Sequence, residues 1–369
     1  MSTDIVAARN LVEGYMSLEG TISTTQEILD SNTIPRLAGY HVRPGKVSDS
    51  IYGGPVKYTK KSGEIVECEN PPLTTRDGIP LRIMVRTDRI STHDINRGTI
   101  PFKDQILAVN HMYLRNLLAQ VLGTSQFDVQ GLGETSVVIA AENLTSIPVE
   151  MVLRGYMAKS TTATSLYQHF MSGERIFCGH KLPDDLIPNG PLPYVMDTPS
   201  TKSETHDESL RPVELFERGL CTPSQYYKMR ADGLMAFGIG THILRERGLI
   251  LVDTKTEHGI TRDGRLVSQD ELYTLDSSRF WLAEDYEDQM RKLISGEIQE
   301  LNPKSFSKEF ARGFSQGEQG YTDEQRIQIA VRYIEGIEHL LQRKFQPNLS
   351  PRNERVIEGL KTIVENLAA

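Results

Sequence analysis

Gly248-Leu-Ile-Leu-Val-Asp-Thr-Lys-Thr-Glu-His-Gly-Ile-Thr-Arg-Asp-Gly-Arg-Leu-Val-Ser-Gln-Asp270-Glu271, followed closely by Asp276-Ser-Ser-Arg-Phe-Trp281, is the stretch on which the reading of this chain turns. The apolar run 249–252 is strand-like. Asp263-Gly264 is a dipeptide that specifies a two-residue hairpin turn, because both central residues take φ > 0. Side chains alternate along a strand, so Asp253, Lys255 and Glu257 share one face. With Asp263-Gly264 as the loop, Arg262 pairs with Arg265, and counting outward sets Glu257 opposite Asp270. Two facing carboxylates repel by a few tenths to about 1 kcal/mol, and a cation between them reverses that sign. The spacing predicts a divalent metal site at Glu257 and Asp270. The run 249–252 is apolar on both faces and therefore central to its sheet, where three charges cannot point into a packed layer unpaired. A cleft holding a metal and a polyanion satisfies them, with Lys255 offsetting the acids when the metal is absent.

At 369 residues the chain is long for one compact unit, and two lobes plus a tail is the natural expectation. Charged residues make up 24% and hydrophobic ones 38%, as in ordinary globular proteins. A net charge of -8 argues against a nucleic-acid binder, which needs a basic face, but permits a local pocket for one phosphorylated ligand. The three cysteines, Cys68, Cys178 and Cys221, are far apart and odd in number. They fit neither a disulfide framework nor a Cys-based zinc site and suggest a reducing compartment. No apolar run is long enough to span a membrane, and the N-terminus lacks a signal-peptide core. The cytoplasm is the expected location.

Residues 1–40 read as a helical extension and 41–147 as a β-rich part, with alternation over 81–86 and a β-branched run over 135–140. Alternation returns at 149–154, with Glu150 and Arg154 on one face. Residues 179–212, rich in Pro, Asp, Ser and Thr, predict a long loop rather than a packed element. Thr222, Pro223 and Gln225 form a capping box that starts a helix, which Gly248 ends. Residues 286–369 are helical: one apolar stripe follows Thr322-Asp323, and another, through Val356, Leu360, Ile363 and Leu367, follows Ser350-Pro351. The order β-rich, mixed, then helical predicts an α+β architecture with a central part over 148–285.

Arg279 beside two hydroxyl residues suits a phosphate, since guanidinium binds phosphate bidentately. Gly45-Lys46, after Pro44, can cover nucleotide phosphates, although the segment has neither P-loop nor G-x-G-x-x-G spacing. Gly313-Phe-Ser-Gln-Gly317 matches a nucleophile elbow in letters only, because it lies in a polar loop instead of joining a strand to a helix. The nine histidines show no zinc-binding spacing.

Taken together, Thr87-Asp88-Arg89-Ile90-Ser91, the run 147–156, Thr198-Pro199-Ser200-Thr201-Lys202, His206-Asp207-Glu208, the run 248–259 and the run 270–281 resemble the SAICAR synthetase family of purine biosynthesis. They occur in the family's order over roughly 41–285, and the length is similar to the longer bacterial form. The resemblance implies a β-rich antiparallel N-terminal lobe, a mixed α/β central lobe with an ATP cleft between them, and a helical C-terminal region. It implies an ATP- and Mg²⁺-dependent ligase that joins L-aspartate to the carboxylate of carboxyaminoimidazole ribonucleotide (CAIR), giving SAICAR, ADP and phosphate. A carboxylate is a poor electrophile, so ATP must first make it an acyl phosphate, which the amine attacks. Such transfer is catalysed mainly by positioning and charge neutralisation.

By the same resemblance Glu257 and Asp270 hold magnesium against ATP, with Asp253 and Lys255 beside them as the catalytic pair. Arg154, Ser160 and Arg279 hold the CAIR phosphate, and Gly45 and Lys46 lie near the ATP phosphates. Asp88, Arg89, Ser91, Lys202, His206 and Asp207 line the CAIR and aspartate side. The implied partners are these small molecules, with no nucleic acid and no membrane, and a homo-oligomer is allowed. Several positions depart from the family pattern. Ser48 replaces an arginine, Phe102 and Asp104 replace glycines, Lys159 precedes Ser160, Thr256 replaces an aromatic residue, His258 follows Glu257, and the hinge at 140–144 lacks its lysines. A paralogous carboxylate–amine ligase or small-molecule kinase acting on another phosphorylated substrate is the alternative.

Overall fold

The computed structural model describes residues 3–18, 23–60, 62–93, 95–162, 165–202 and 207–369. Helices α1 (Ile5–Leu18) and α2 (Thr25–Asp30) precede strands β1 (Ser48–Tyr52), β2 (Gly54–Thr59), β3 (Ile65–Asn70), β4 (Leu81–Arg86), β5 (Arg89–Thr92) and β6 (Ile95–Thr99). Helix α3 (Lys103–Leu122) and strand β7 (Val138–Glu142) follow. The antiparallel order β1-β4-β7 makes a first sheet, and β2–β3 and β5–β6 are hairpins. Alternation in β4 sends Leu81, Ile83 and Val85 into an apolar core and leaves Arg82, Met84 and Arg86 for the other face.

Strand β8 (Thr145–Tyr156) leads into a second sheet. Then come α4 (Leu166–Met171), β9 (Ile176–Phe177), β10 (His180–Lys181), β11 (Pro191–Asp197), β12 (Ser200–Thr201), α5 (Pro212–Glu217) and α6 (Pro223–Glu246). After α6 come β13 (Leu249–Ile260), β14 (Leu266–Gln269) and β15 (Ser278–Leu282). The chain ends in α7 (Ala283–Ser295), α8 (Glu309–Arg312), α9 (Asp323–Leu341) and α10 (Arg352–Asn366). The second sheet runs β11-β8-β13-β14, with β12 also on β8 and β15 also on β13. Antiparallel sheets with helices packed on them match the α+β architecture read from the sequence.

The 179–212 segment departs from the expected loop. Its strand β11 pairs with β8, Met196 facing Arg154, and Ser200 of β12 faces Glu150. Proline is tolerated here because Pro191 opens the edge strand, Pro193 falls in its irregular stretch between the paired Pro191 and Met196, and Pro199 sits between β11 and β12.

Helix α6 starts at the expected capping box, Thr222 with Gln225, and covers one face of the second sheet. Met151, Leu153, Leu249 and Leu251 pack there with Met229, Ala236, Phe237 and Leu244. The opposite face is left to Glu150, Arg154, Asp253, Lys255 and Glu257, and it looks toward Arg82 and Arg86 of the first sheet.

The chain ends are built into this frame. Val356, Leu360 and Ile363 of α10 share a buried cluster with Ile51, Leu81, Ile83 and Val138 of the first sheet, and α1 packs on α9. Two departures from the glycine-rich pattern at the start of α3 explain how. Phe102 takes φ 62°, a conformation easy for glycine, and is 1% exposed, its ring 4.2 Å from that of Tyr15 in α1. Asp104 pairs at 3.2 Å with Arg355 of α10, which also donates to the Tyr15 hydroxyl at 3.1 Å.

Candidate active site

The hairpin forms with a register one residue away from the one expected. Thr261 pairs with Arg265, so three residues make the turn, and Glu257 faces Gln269 rather than Asp270. A three-residue loop with a glycine in the left-handed region, here Gly264 at φ 84°, competes closely with the two-residue form for such sequences. Glu257 does face a carboxylate, on its other neighbour: Glu150 of β8. Asp270 lies one step past β14 at φ 60° and turns back toward the same cleft. Gly259 allows this crowding, since a Cβ there would lie 2.7 Å from the Leu144 Cβ and 2.9 Å from the Gln269 amide oxygen.

Four carboxylates and four cations interleave along the cleft face. Arg154 of β8 and Arg279 of β15 flank Asp253 of β13 in the ladders. Arg154 reaches Asp253 Oδ2 at 3.1 Å, and Arg279 reaches it at 2.7 Å. Burial alone would raise the Asp253 carboxyl, but Arg279 and Arg154 outweigh it and hold the group below its ordinary range. Next along the strand, Lys255 Nζ lies 2.5 Å from Glu150 Oε1 and 3.6 Å from Glu257 Oε1. Burial opposes its charge, yet Glu150 chiefly, and Asp207 in part, raise its pKa.

Lys202 joins the two acids expected to hold a metal. Its ammonium pairs with Glu257 Oε2 and lies 3.7 Å from Asp270 Oδ2. Two carboxylates therefore already converge on one cation, an arrangement that also suits a divalent ion. Among the described residues no cluster of three or more His, Cys, Asp or Glu side chains could hold a metal. Across the cleft Arg82 reaches Asp270 at 3.0 Å and Arg86 reaches Glu271 at 3.6 Å.

Arg279 Nη1 also donates to the Lys159 carbonyl at 3.0 Å, and Ser160, the next residue, is buried and accepts from Thr162 N on its hydroxyl at 3.2 Å. A cavity of about 180 Å³ opens here, lined among others by Lys159, Asn189, Arg279, Asn302, Ser305 and Glu309. Gly45 sits in a turn so tight that a Cβ would fall 2.2 Å from the Ser48 carbonyl oxygen. Arg89, read as a substrate-side residue, donates to the Gly45 carbonyl at 2.9 Å and to Asp49 at 2.6 Å, and so braces the Gly45-Lys46 turn. Asp88 is buried, and its carbonyl accepts from Ile100 N. Ser91, half-buried, pairs with Asn96 in the β5–β6 hairpin. His206 lies outside the described residues.

Thr256 and His258, which depart from the family pattern, are buried on the α6 side, behind the cleft. The sequence reading missed several charged groups. Lys103, fully buried, pairs at 2.8 Å with Asp276, which also accepts from Tyr333 at 2.5 Å. Lys308 approaches the same carboxylate, and burial pushes its ammonium down to about 8 against the pull of Asp276. Arg312 is tied to Glu309 at 2.6 Å and adds positive charge near Asp253. The only sequence signal for Lys308 and Arg312 was their i,i+4 spacing in a segment read as a polar loop.

The family model described as SAICAR synthetase matches residues 75–327. The chain belongs to the SAICAR synthetase family. A relative from Arabidopsis thaliana, named phosphoribosylaminoimidazole-succinocarboxamide synthase, chloroplastic, is 36% identical over 66% of this chain and 56% of its own length. The chain thus spans little more than half of that relative. A Bacteroides thetaiotaomicron protein of the same enzyme name is 36% identical over 71% of this chain and 82% of its own. A solved structure of a SAICAR synthetase in complex with ADP superposes with a TM-score of 0.56 at 20% identity, covering 83% of this chain and all of that one. At that identity the superposition establishes the SAICAR synthetase fold. No helix among the described residues is long and apolar enough to cross a membrane.

Proposed function

We propose that this SAICAR synthetase family member uses ATP and Mg²⁺ to join L-aspartate to the carboxylate of CAIR, giving SAICAR, ADP and phosphate. The observation that carries the reading is the cleft face itself, where Arg154-Asp253-Arg279 stands beside Lys255, Glu150, Glu257, Lys202 and Asp270. One end is set up for a phosphate monoester and the other for a metal-bound polyphosphate, as the two phosphorylated substrates require. The ADP bound in the superposed SAICAR synthetase supports use of ATP at this fold.

Glu257 and Asp270 would hold the magnesium, which neutralises phosphate charge when bound. Arg154 and Arg279 bind the CAIR phosphate, with Ser160 beside them, and Asp253 fixes both guanidinium planes. Lys255, kept charged by Glu150, meets the CAIR carboxylate and the phosphoryl group arriving on it. Gly45 and Lys46 cover the ATP phosphates from the first sheet, with Arg89 bracing their turn. Lys202 and Asp207 face the incoming aspartate, and His206 belongs to the same segment. We place the enzyme in the cytoplasm, in keeping with its isolated cysteines, and allow a homo-oligomer. We also retain the division into 1–40, 41–147, 148–285 and 286–369 as functional parts, although β8 runs through the second boundary.

The test is ADP and SAICAR formation from ATP, Mg²⁺, CAIR and a panel of amines. One ADP per SAICAR, with aspartate strongly preferred, is expected, and Asp270→Asn should cost about 10²-fold or more in turnover. No ADP release above background would sink the proposal. An aspartate signal no better than that of other amines would favour a paralogous ligase or kinase instead. Lys159, a departure from the family pattern that lines the same cavity as Arg279, is the feature that favours this second reading.

A further inference from the structure

We propose that Arg82 is an interlobe counter-ion latch, holding Asp270 across the cleft while no divalent ion is bound and yielding the carboxylate when one arrives with the nucleotide. This rests on the reading of Glu257 and Asp270 as metal ligands. Asp270 is shared by two cations, Arg82 at 3.0 Å and Lys202 at 3.7 Å. Both members of the Arg82–Asp270 pair are mostly shielded from solvent, at 19% and 27% side-chain exposure, so their attraction is weakly screened. A divalent ion that takes Asp270 must therefore displace the Arg82 guanidinium as well as the Lys202 ammonium, and the ion alone binds against that competition.

The guanidinium has somewhere to stay. Its Nε and Nη2 donate to Ser50 Oγ at 3.2 and 3.0 Å, so Arg82 remains anchored to β1 when Asp270 leaves. Strand β1 issues from the Gly45-Lys46 turn, and the guanidinium anchored on β1 through Ser50 has its Nη1 free for a new partner once Asp270 leaves. In this proposal that partner is the polyphosphate, which a guanidinium can bind bidentately. The Asp270 backbone is already set at φ 60°, a conformation aspartate tolerates, with its carbonyl accepting from Gln126 Nε2 at 3.4 Å. Only the carboxylate partner has to change. The exchange couples the two ligands: metal without nucleotide loses the guanidinium contact for nothing, whereas metal with nucleotide regains it on the phosphates.

The measurement is Mn²⁺ binding, by electron paramagnetic resonance or calorimetry, with and without a non-hydrolysable ATP analogue. Removing the latch in Arg82→Met should tighten Mn²⁺ binding in the absence of nucleotide by about three- to tenfold, and should weaken binding of the analogue. Arg82→Lys, which keeps the charge, should bind Mn²⁺ alone much as the wild type does. A merely structural loss would weaken the metal, so the direction of the change separates the two. Should Arg82→Met fail to fold by circular dichroism, Arg82→Gln keeps a donor for Ser50 and carries no charge. Unchanged or weaker Mn²⁺ affinity in the folded neutral variant, with normal wild-type binding, overturns the latch alone. A wild type that takes up no Mn²⁺ even with the analogue overturns the metal reading and the latch together.

Discussion

His258 and His111 show how far a buried side chain can be moved from its ordinary chemistry. Burial chiefly pushes His258 down to about 4 and His111 down to about 3, from an ordinary 6.5. Both are 1% exposed. His111 accepts the Leu272 N–H on Nδ1 at 2.9 Å, which fixes the turn just after Asp270 and requires a neutral ring. The unfolded chain takes up these protons below about 6.5 while the folded one refuses them, so the stability is fully present above that pH and is lost as pH falls toward the folded values. Each histidine should contribute up to ~1.4 kcal/mol per pH unit of acid sensitivity. Urea unfolding at pH 7 and pH 5 measures it, and His258→Asn should remove about half of the difference between them. A wild-type stability that is flat over this range would mean that the rings are not held neutral.

At the scale of elements, the start of α3 ties two distant helices to the frame. A glycine at 102 would take φ 62° at no steric cost, while a phenylalanine accepts about 1 kcal/mol of strain and gains burial against Tyr15 and Phe345. Asp104 meets Arg355 where both side chains are at most 5% exposed. Restoring the expected glycine, Asp104→Gly, leaves that arginine without its carboxylate. It should cost about 3 kcal/mol in denaturant unfolding, and Asp104→Leu combined with Arg355→Met should recover much of it. A loss under 1 kcal/mol would show that Arg355 finds solvent or another acid. Much at this scale was legible. Thr222 with Gln225 announced α6 by capping chemistry that is wholly local, and the apolar stripe after Thr322-Asp323 announced α9. The strands of 179–212 were not, because an edge strand rich in proline has the composition of a loop until its partner is known.

For the whole molecule, the C-terminal helix is part of the N-terminal sheet's core. Burying Val356, Leu360 and Ile363 is worth roughly 1.5–3 kcal/mol each, comparable in sum to the entire stability of an ordinary domain. Truncation before Ser350 should therefore abolish cooperative unfolding and solubility, read by thermal melting and gel filtration. A truncated protein that melts within a few degrees of the full chain would contradict this packing.

Which residues belong together on one strand follows from the amino-acid order alone. A period of two places Asp253, Lys255 and Glu257 on a common face whatever surrounds them, and the run 249–252 makes that strand central. The same order of segments carried the family, and with it the SAICAR synthetase fold. Folding in three dimensions settled who faces whom. A one-residue difference in turn length moved Asp270 out of register with Glu257 and set Gln269 there, while the pairing of β13 with β8 on its other side brought Glu150 opposite Glu257 from about a hundred residues earlier. The tertiary fold brought Arg82 across from the first sheet, and Lys308 and Arg312 from a segment that read as a loop. The reason is that the alternation of side chains within a strand is fixed by covalent geometry. Pairing between strands, and between charges across a cleft, depends on turn geometry and burial that no local pattern encodes.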